Sequence, residues 1–117
     1  DIIICMHVME HIPNDVGAFG EIARLLKPNG FAIVVVPLQG ETTFEDPEAR
    51  PEDYERLYGQ YDHVRSYGTD IVERIETVGL KVEVVDIFAL YSERVLRRYA
   101  LYGDDRFFFR LTRSAKE

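Results

Sequence analysis

The sequence predicts an α/β fold with a mostly parallel sheet. Runs of apolar, largely β-branched residues open the chain and recur at residues 31–37. Such runs are apolar on both faces, as strands are when helices cover each side of a parallel sheet. Between and after them lie segments with apolar residues at helical spacing. The order is strand, helix, strand, loop and helix, strand, helix, strand, which is the pattern of an α/β sandwich.

Residues 1–6 are the first strand, carried by Ile2, Ile3, Ile4, Cys5 and Met6. A helix is expected over residues 14–26, capped by Asn14 or Asp15 after Pro13. Val16, Phe19, Ile22, Ala23 and Leu26 fall on one face at helical spacing. Gly17 and Gly20 weaken this helix, and close packing on a sheet is the expected reason for them. Lys27-Pro28-Asn29-Gly30 ends it with a cation, a breaker and a turn. The second strand, residues 31–37, completes a right-handed strand–helix–strand unit.

Residues 38–52 are an acidic loop, expected to be mobile, at the sheet edge where ligands bind. A short helix is expected over residues 52–58. The polar, aromatic segment 59–68 has no clear period. A helix follows over residues 69–78, with Ile71, Ile75 and Val78 on one face and Gly79 as its stop. Residues 80–89 form the third strand, residues 91–100 a basic helix, and residues 105–113 the fourth strand. Phe107, Phe109 and Leu111 share one side of that last strand.

A chain of 117 residues with 46% hydrophobic content is the size of one small globular domain. The net charge of −7 shows no basic excess, so no nucleic-acid surface is evident. The acid is concentrated in residues 1–90, with 17 acidic against 7 basic residues; residues 91–117 carry 7 basic against 4 acidic. The mild basic tail reads as solvated surface. A single cysteine, Cys5, allows no internal disulfide. No stretch approaches the ~20 apolar residues of a membrane span, and no signal peptide is visible. A cytoplasmic location is therefore expected, with no membrane partner.

Two blocks carry a family resemblance. Asp1-Ile2-Ile3-Ile4-Cys5-Met6-His7-Val8-Met9-Glu10-His11-Ile12-Pro13 resembles the fourth strand and following turn of class I S-adenosylmethionine-dependent methyltransferases of the type 11 kind. Met9 stands where Leu is usual. Glu21-Ile22-Ala23-Arg24-Leu25-Leu26-Lys27-Pro28-Asn29-Gly30-Phe31 resembles the element that ends that family's helix D and opens strand five, with Asn29 in place of the commoner Gly. The two blocks keep the family's usual separation. Gly79-Leu80-Lys81-Val82 and residues 94–113 resemble its later elements.

The resemblance implies the C-terminal half of a doubly wound, Rossmann-like sheet, holding strands 4-5-7-6 with the last strand antiparallel. The family's Gly-rich cofactor loop has no counterpart here: the glycines stand at 17, 20, 30, 40, 59, 68, 79 and 103. Residues 1–117 are therefore expected to be a partial methyltransferase domain, cut before strand four and lacking the N-terminal cofactor-binding half. By resemblance, Cys5, Met6, His7 and Val8 line one side of S-adenosylmethionine. His11 and His63 are the candidate bases, with His7 and Glu10 beside them. Tyr61 and Arg65 are the candidate acceptor contacts. No metal is implied. The expected function is methyl transfer to a small or medium acceptor in the intact parent, the fragment itself being inactive.

Two other readings follow from the residues. One is a non-catalytic interaction module that kept half the fold. The other is a zinc peptidase, because His7-Val8-Met9-Glu10-His11 matches H-x-x-E-H. A strand ending just before His7 and Pro13 just after His11 leave little room for the helix which that motif needs. The first strand would also expose an apolar edge, so pairing with the same strand of a second copy is expected.

Overall fold

The computed structural model describes residues 1–101, 103 and 106–114. Strand β1 (Ile2–Met6) leads through a 3₁₀ turn at Met9–His11 into helix α1 (Asp15–Leu25) and strand β2 (Phe31–Val35). A second 3₁₀ turn at Pro51–Asp53 precedes α2 (Tyr54–Tyr58); α3 (Ile71–Glu76), β3 (Leu80–Asp86), α4 (Ile87–Leu90), α5 (Glu93–Arg98) and β4 (Phe107–Arg113) follow. The expected start of the last strand at residue 105 lies outside the described residues. Among the described residues, no helix is long and apolar enough to cross a membrane.

The four strands lie in the order β1-β2-β4-β3, the order expected, with β4 the antiparallel strand. β1 and β2 pair in parallel, while β4 inserts antiparallel between β2 and β3. Three strands thus point one way and the last runs against them, the direction that the family resemblance implied; the β1–β2 pairing is the parallel one. Local patterning misses this because β4 looks like any alternating strand; its direction is set by the chain's return from β3.

One sheet face holds the core. Phe19 and Ile22 from α1, Leu26 just after it, and Ile71 and Ile75 from α3 pack with Ala32, Val34, Leu80, Phe109 and Leu111. Ile3 and Cys5 of β1 join this cluster, partly buried. The opposite side of β1 is bare: Ile2, Ile4 and Met6 are 59%, 68% and 49% exposed. Among the described residues, β1 is thus covered on one face and not on both, and it has a neighbour on one edge only. Further along that side of the sheet, the Arg110 guanidinium lies 4.7 Å over the Phe31 ring.

Several local expectations change. Asn14 caps α1, its side chain accepting from the Gly17 backbone N–H at 3.0 Å. Gly17 therefore makes room for the cap, not for the sheet: a Cβ there would meet the Asn14 amide at 2.5 Å. A Cβ at Gly20 would touch nothing within 4 Å. Val16 is exposed, whereas Asp15 beside it is buried. The third strand stops at Asp86, because that side chain accepts from the Phe88 N–H and caps a new helix.

The acidic loop after β2 is tied down, contrary to the mobile loop expected. Leu38 bridges to Tyr67 and Phe44 bridges to Ser66. The Thr43 N–H donates to Asp70 at 2.9 Å. Gly68 makes this approach possible: a Cβ there would come within 2.5 Å of the Glu41 and Thr42 backbone.

Candidate functional site

A cleft of about 740 Å³ opens where β1 and β2 end. Its lining includes His7, Glu10, His11, Gln39, His63 and Ser66. Carboxyl ends of parallel strands are where ligands sit in open α/β sheets, because the following loops diverge there. The chain turns sharply at this point. His7 has φ of 57°, the left-handed region, while its N–H still donates to the Val35 carbonyl at 2.7 Å. This turn carries the 3₁₀ segment Met9–His11 to the cleft wall.

The segment after α2 forms the facing wall. The Val64 N–H donates to the Glu10 carbonyl at 2.8 Å and locks the two walls together. His11 and His63 meet edge to face, ring centroids 4.6 Å apart at 85°. His11 Nδ1 lies 3.0 Å from the Asp62 backbone carbonyl. A carbonyl only accepts, so in the neutral ring Nδ1 carries the proton and Nε2 the lone pair. The Asp62 carboxylate stands 3.4 Å from the same nitrogen. Glu10 is 3% exposed, and its Oε1 has no hydrogen-bond partner among the described residues.

Beneath the cleft lies a buried polar network. Arg65 and Asp15 are both buried and 3.6 Å apart. Arg65 donates to the Met9 carbonyl at 2.7 Å, to Ile12 at 2.6 Å and to Pro13 at 2.8 Å, and it pairs with Glu45. Arg74 pairs with Asp15 at 2.7 Å and with Glu45 at 2.6 Å. The Tyr67 hydroxyl donates to Asp15. Burial, reinforced by that bond to Asp15, pushes the Tyr67 pKa far above the ordinary tyrosine value. The guanidinium fork thus gathers the three carbonyls that follow the first turn and fixes its shape.

The sequence-derived residues separate in this structure. His7, His11, His63 and Arg65 reach the cleft, with Glu10. Arg65 is spent on internal partners, so its guanidinium is not open to an acceptor's anionic group. Tyr61 is 72% exposed and does not line the cleft. Met6 and Val8 are exposed beside it. The Cys5 side chain turns toward the core; burial, then the nearby Glu10, pushes its thiol pKa up. Sequence reading gave Asp15 only a capping role, placed Glu45 in the acidic loop and Tyr67 in the aromatic segment without partners, and missed Arg74. The one available signal was an acid at a position that also falls on the apolar face of α1.

A family model described as a methyltransferase domain matches residues 1–98. No curated protein matches. Among solved structures, the chain is similar to the O-methyltransferase from the trans-AT PKS multienzyme of Brevibacillus brevis, in complex with S-adenosyl-L-homocysteine. The TM-score is 0.59 at 17% identity, over 97% of this chain and 44% of that one. It is also similar to Haemonchus contortus phosphoethanolamine N-methyltransferase 2, in complex with phosphomonomethylethanolamine and S-adenosylhomocysteine. There the TM-score is 0.58 at 17% identity, over 98% of this chain and 33% of that one. The chain spans less than half the length of either structure.

Proposed function

The chain belongs to the methyltransferase-domain family, and from that premise we propose that it supplies the acceptor side and one cofactor wall of an S-adenosylmethionine-dependent methyltransferase. The observation that carries this reading is the cleft at the ends of β1 and β2, with His11 held by its Nδ1 and offering Nε2. Both solved relatives named above hold the demethylated cofactor product.

S-adenosylmethionine, when bound, supplies a methyl group already carried on a sulfonium sulfur. The residues after β1 fit one wall of its site. Met6 and Val8 offer exposed apolar surface, His7 lines the cleft, and Cys5 leaves only its backbone to that side. The acceptor is a small or medium molecule seated in the cleft, which falls in the size range of small-molecule sites. His11 Nε2 takes the proton from its hydroxyl or amine, and His63, edge-on to that ring, holds the imidazole in place. Arg65 is a positioning residue that fixes the turn bearing Glu10 and His11. Tyr61 has no part in this assignment.

Residues 1–117 alone carry one cofactor wall, so by themselves they bind S-adenosylmethionine weakly and turn nothing over. The bare Ile2, Ile4 and Met6 face and the free edge of β1 are where a second copy of the 117-residue chain pairs. Isothermal titration tests the central reading. The full-length protein should bind S-adenosylmethionine at micromolar concentration and the 117 residues should not. No binding by the full-length protein would remove the methyltransferase reading.

A further inference from the structure

In the cleft, a Glu10 carboxylate oxygen and ring nitrogens of His11 and His63 all lie within 4.8 Å of one another. Two imidazoles and a carboxylate are a donor set that divalent first-row transition ions take. Proximity alone is weak evidence, because polar groups line most clefts.

Two independent observations point to a cation. The first is Glu10 itself. Its carboxylate is 3% exposed, and Oε1 is buried without a hydrogen-bond partner among the described residues. A buried carboxylate is normally paired or metal-bound, since removing it from water is costly. His7 Nδ1 stands 3.8 Å from Oε2, within ion-pair reach of that oxygen though beyond hydrogen-bond length, so the unanswered atom is Oε1. The second is the support behind His11. Its Nδ1 donates to the Asp62 carbonyl at 3.0 Å, with the Asp62 carboxylate at 3.4 Å. Metal-binding histidines commonly hold their other ring nitrogen this way, which orients the ring and raises the basicity of the ligating nitrogen.

We propose that Glu10, His11 Nε2 and His63 bind one divalent transition-metal ion of the zinc type, with a coordination position open to the cleft. Donors on a tetrahedral zinc ion stand roughly 3.4 Å apart, given bonds of about 2.0–2.1 Å. With the His11 ring held by Asp62, rotation of the half-buried His63 imidazole about its side-chain bonds is what closes that difference. This set differs from the H-x-x-E-H reading of the sequence. That motif uses two histidines one helical turn apart with the glutamate free; here Met9–His11 is a short 3₁₀ turn, His7 is in the left-handed region, and the glutamate becomes a ligand. Metal occupancy and proton transfer by His11 exclude each other, because both use Nε2. The inference therefore goes beyond the methyl-transfer reading and stands without it.

The test uses the untagged full-length protein, stripped with chelator and titrated with zinc chloride by calorimetry. Cobalt chloride then serves as a visible-absorption probe. One ion per chain at micromolar affinity or better is expected, with intense low-coordinate cobalt bands. Glu10→Gln and His63→Ala should each weaken zinc at least tenfold, and His63→Ala should keep its S-adenosylmethionine affinity. No stoichiometric binding, or undiminished binding in a His11→Ala/His63→Ala double variant, would overturn the site. Absence of zinc binding by the parent protein with its cofactor binding intact sinks this inference alone; the converse result sinks only the methyltransferase reading.

Discussion

Arg65 and Asp15 face each other at 3.6 Å, each only 2% exposed. The pair joins the segment after α2 to the first residue of α1, and Glu45, Arg74 and Tyr67 complete the shell around it. Removing one partner of such a pair strands the other in low dielectric. Arg65→Met should cost about 3–5 kcal/mol, read by chemical denaturation. It leaves Asp15 and Glu45 short of a cation and three carbonyls without a donor. Arg65→Lys keeps the charge but loses the fork, so it should fall between. Equal stability of the methionine variant and the parent would show that the network is dispensable.

Tyr67 gives the network a pH signature. Its folded-state pKa is raised above the unfolded value near 10. The unfolded chain therefore loses this proton first. The stabilisation is complete below about pH 10 and is lost as pH rises from there toward the folded pKa, with a slope up to about 1.4 kcal/mol per pH unit. Tyr67→Phe should lower stability at neutral pH by about 1.5–3 kcal/mol, since the bond it removes is to a charged group. It should also flatten the alkaline decline relative to the parent. Parallel pH curves for the two proteins would refute this.

Gly68 is a packing constraint with a simple test. The Cβ of Gly68→Ala would meet the backbone of Glu41 and Thr42 at 2.5 Å. Backbone yields less readily than a side chain, so a loss of about 1–3 kcal/mol is expected. Gly20→Ala, whose Cβ meets nothing within 4 Å, should be neutral or stabilising by up to about 1 kcal/mol. Thermal melts of the two variants should separate in opposite directions.

The sequence shows what local patterning can carry. Apolar runs at 1–6 and 31–37 mark β1 and β2, and a capping residue with helical spacing marks α1 between them. The insertion of β4 between β2 and β3 came from the family resemblance, because strand order depends on non-local pairing. Residue type was enough to name His11 and His63, yet nothing in their spacing says that the rings touch. The Asp15–Arg65–Tyr67–Arg74 cluster was invisible for the same reason. Each member read locally is a cap, a loop cation, a loop tyrosine or a helix cation. Only the docking of residues 64–67 against the first turn makes them partners. Tyr61 fails in the opposite sense: aromatic and well placed in sequence, it points to solvent.

The base assignment predicts a kinetic pattern in the full-length protein. His11→Gln should lower turnover about 10²–10⁴-fold with S-adenosylmethionine affinity unchanged. His63→Phe keeps an edge-to-face partner for the His11 ring and should be milder. A His11→Gln enzyme with parental turnover would move the proton-transfer role elsewhere in the cleft.

The edge of β1 makes the last prediction. Its outward residues Ile2, Ile4 and Met6 are each about half exposed or more, and among the described residues β2 is its one neighbour in the sheet. An open strand edge with apolar flanks is a template for pairing, and closed pairing of identical edges makes a two-fold dimer. Sedimentation of the 117-residue chain should give a dimer. Ile4→Lys places a charge on the bare face without touching the core side held by Ile3 and Cys5. It should therefore shift the chain to monomer while leaving its unfolding midpoint at low concentration nearly unchanged. A parent chain that sediments as a monomer at all concentrations would show that the bare face alone does not drive pairing.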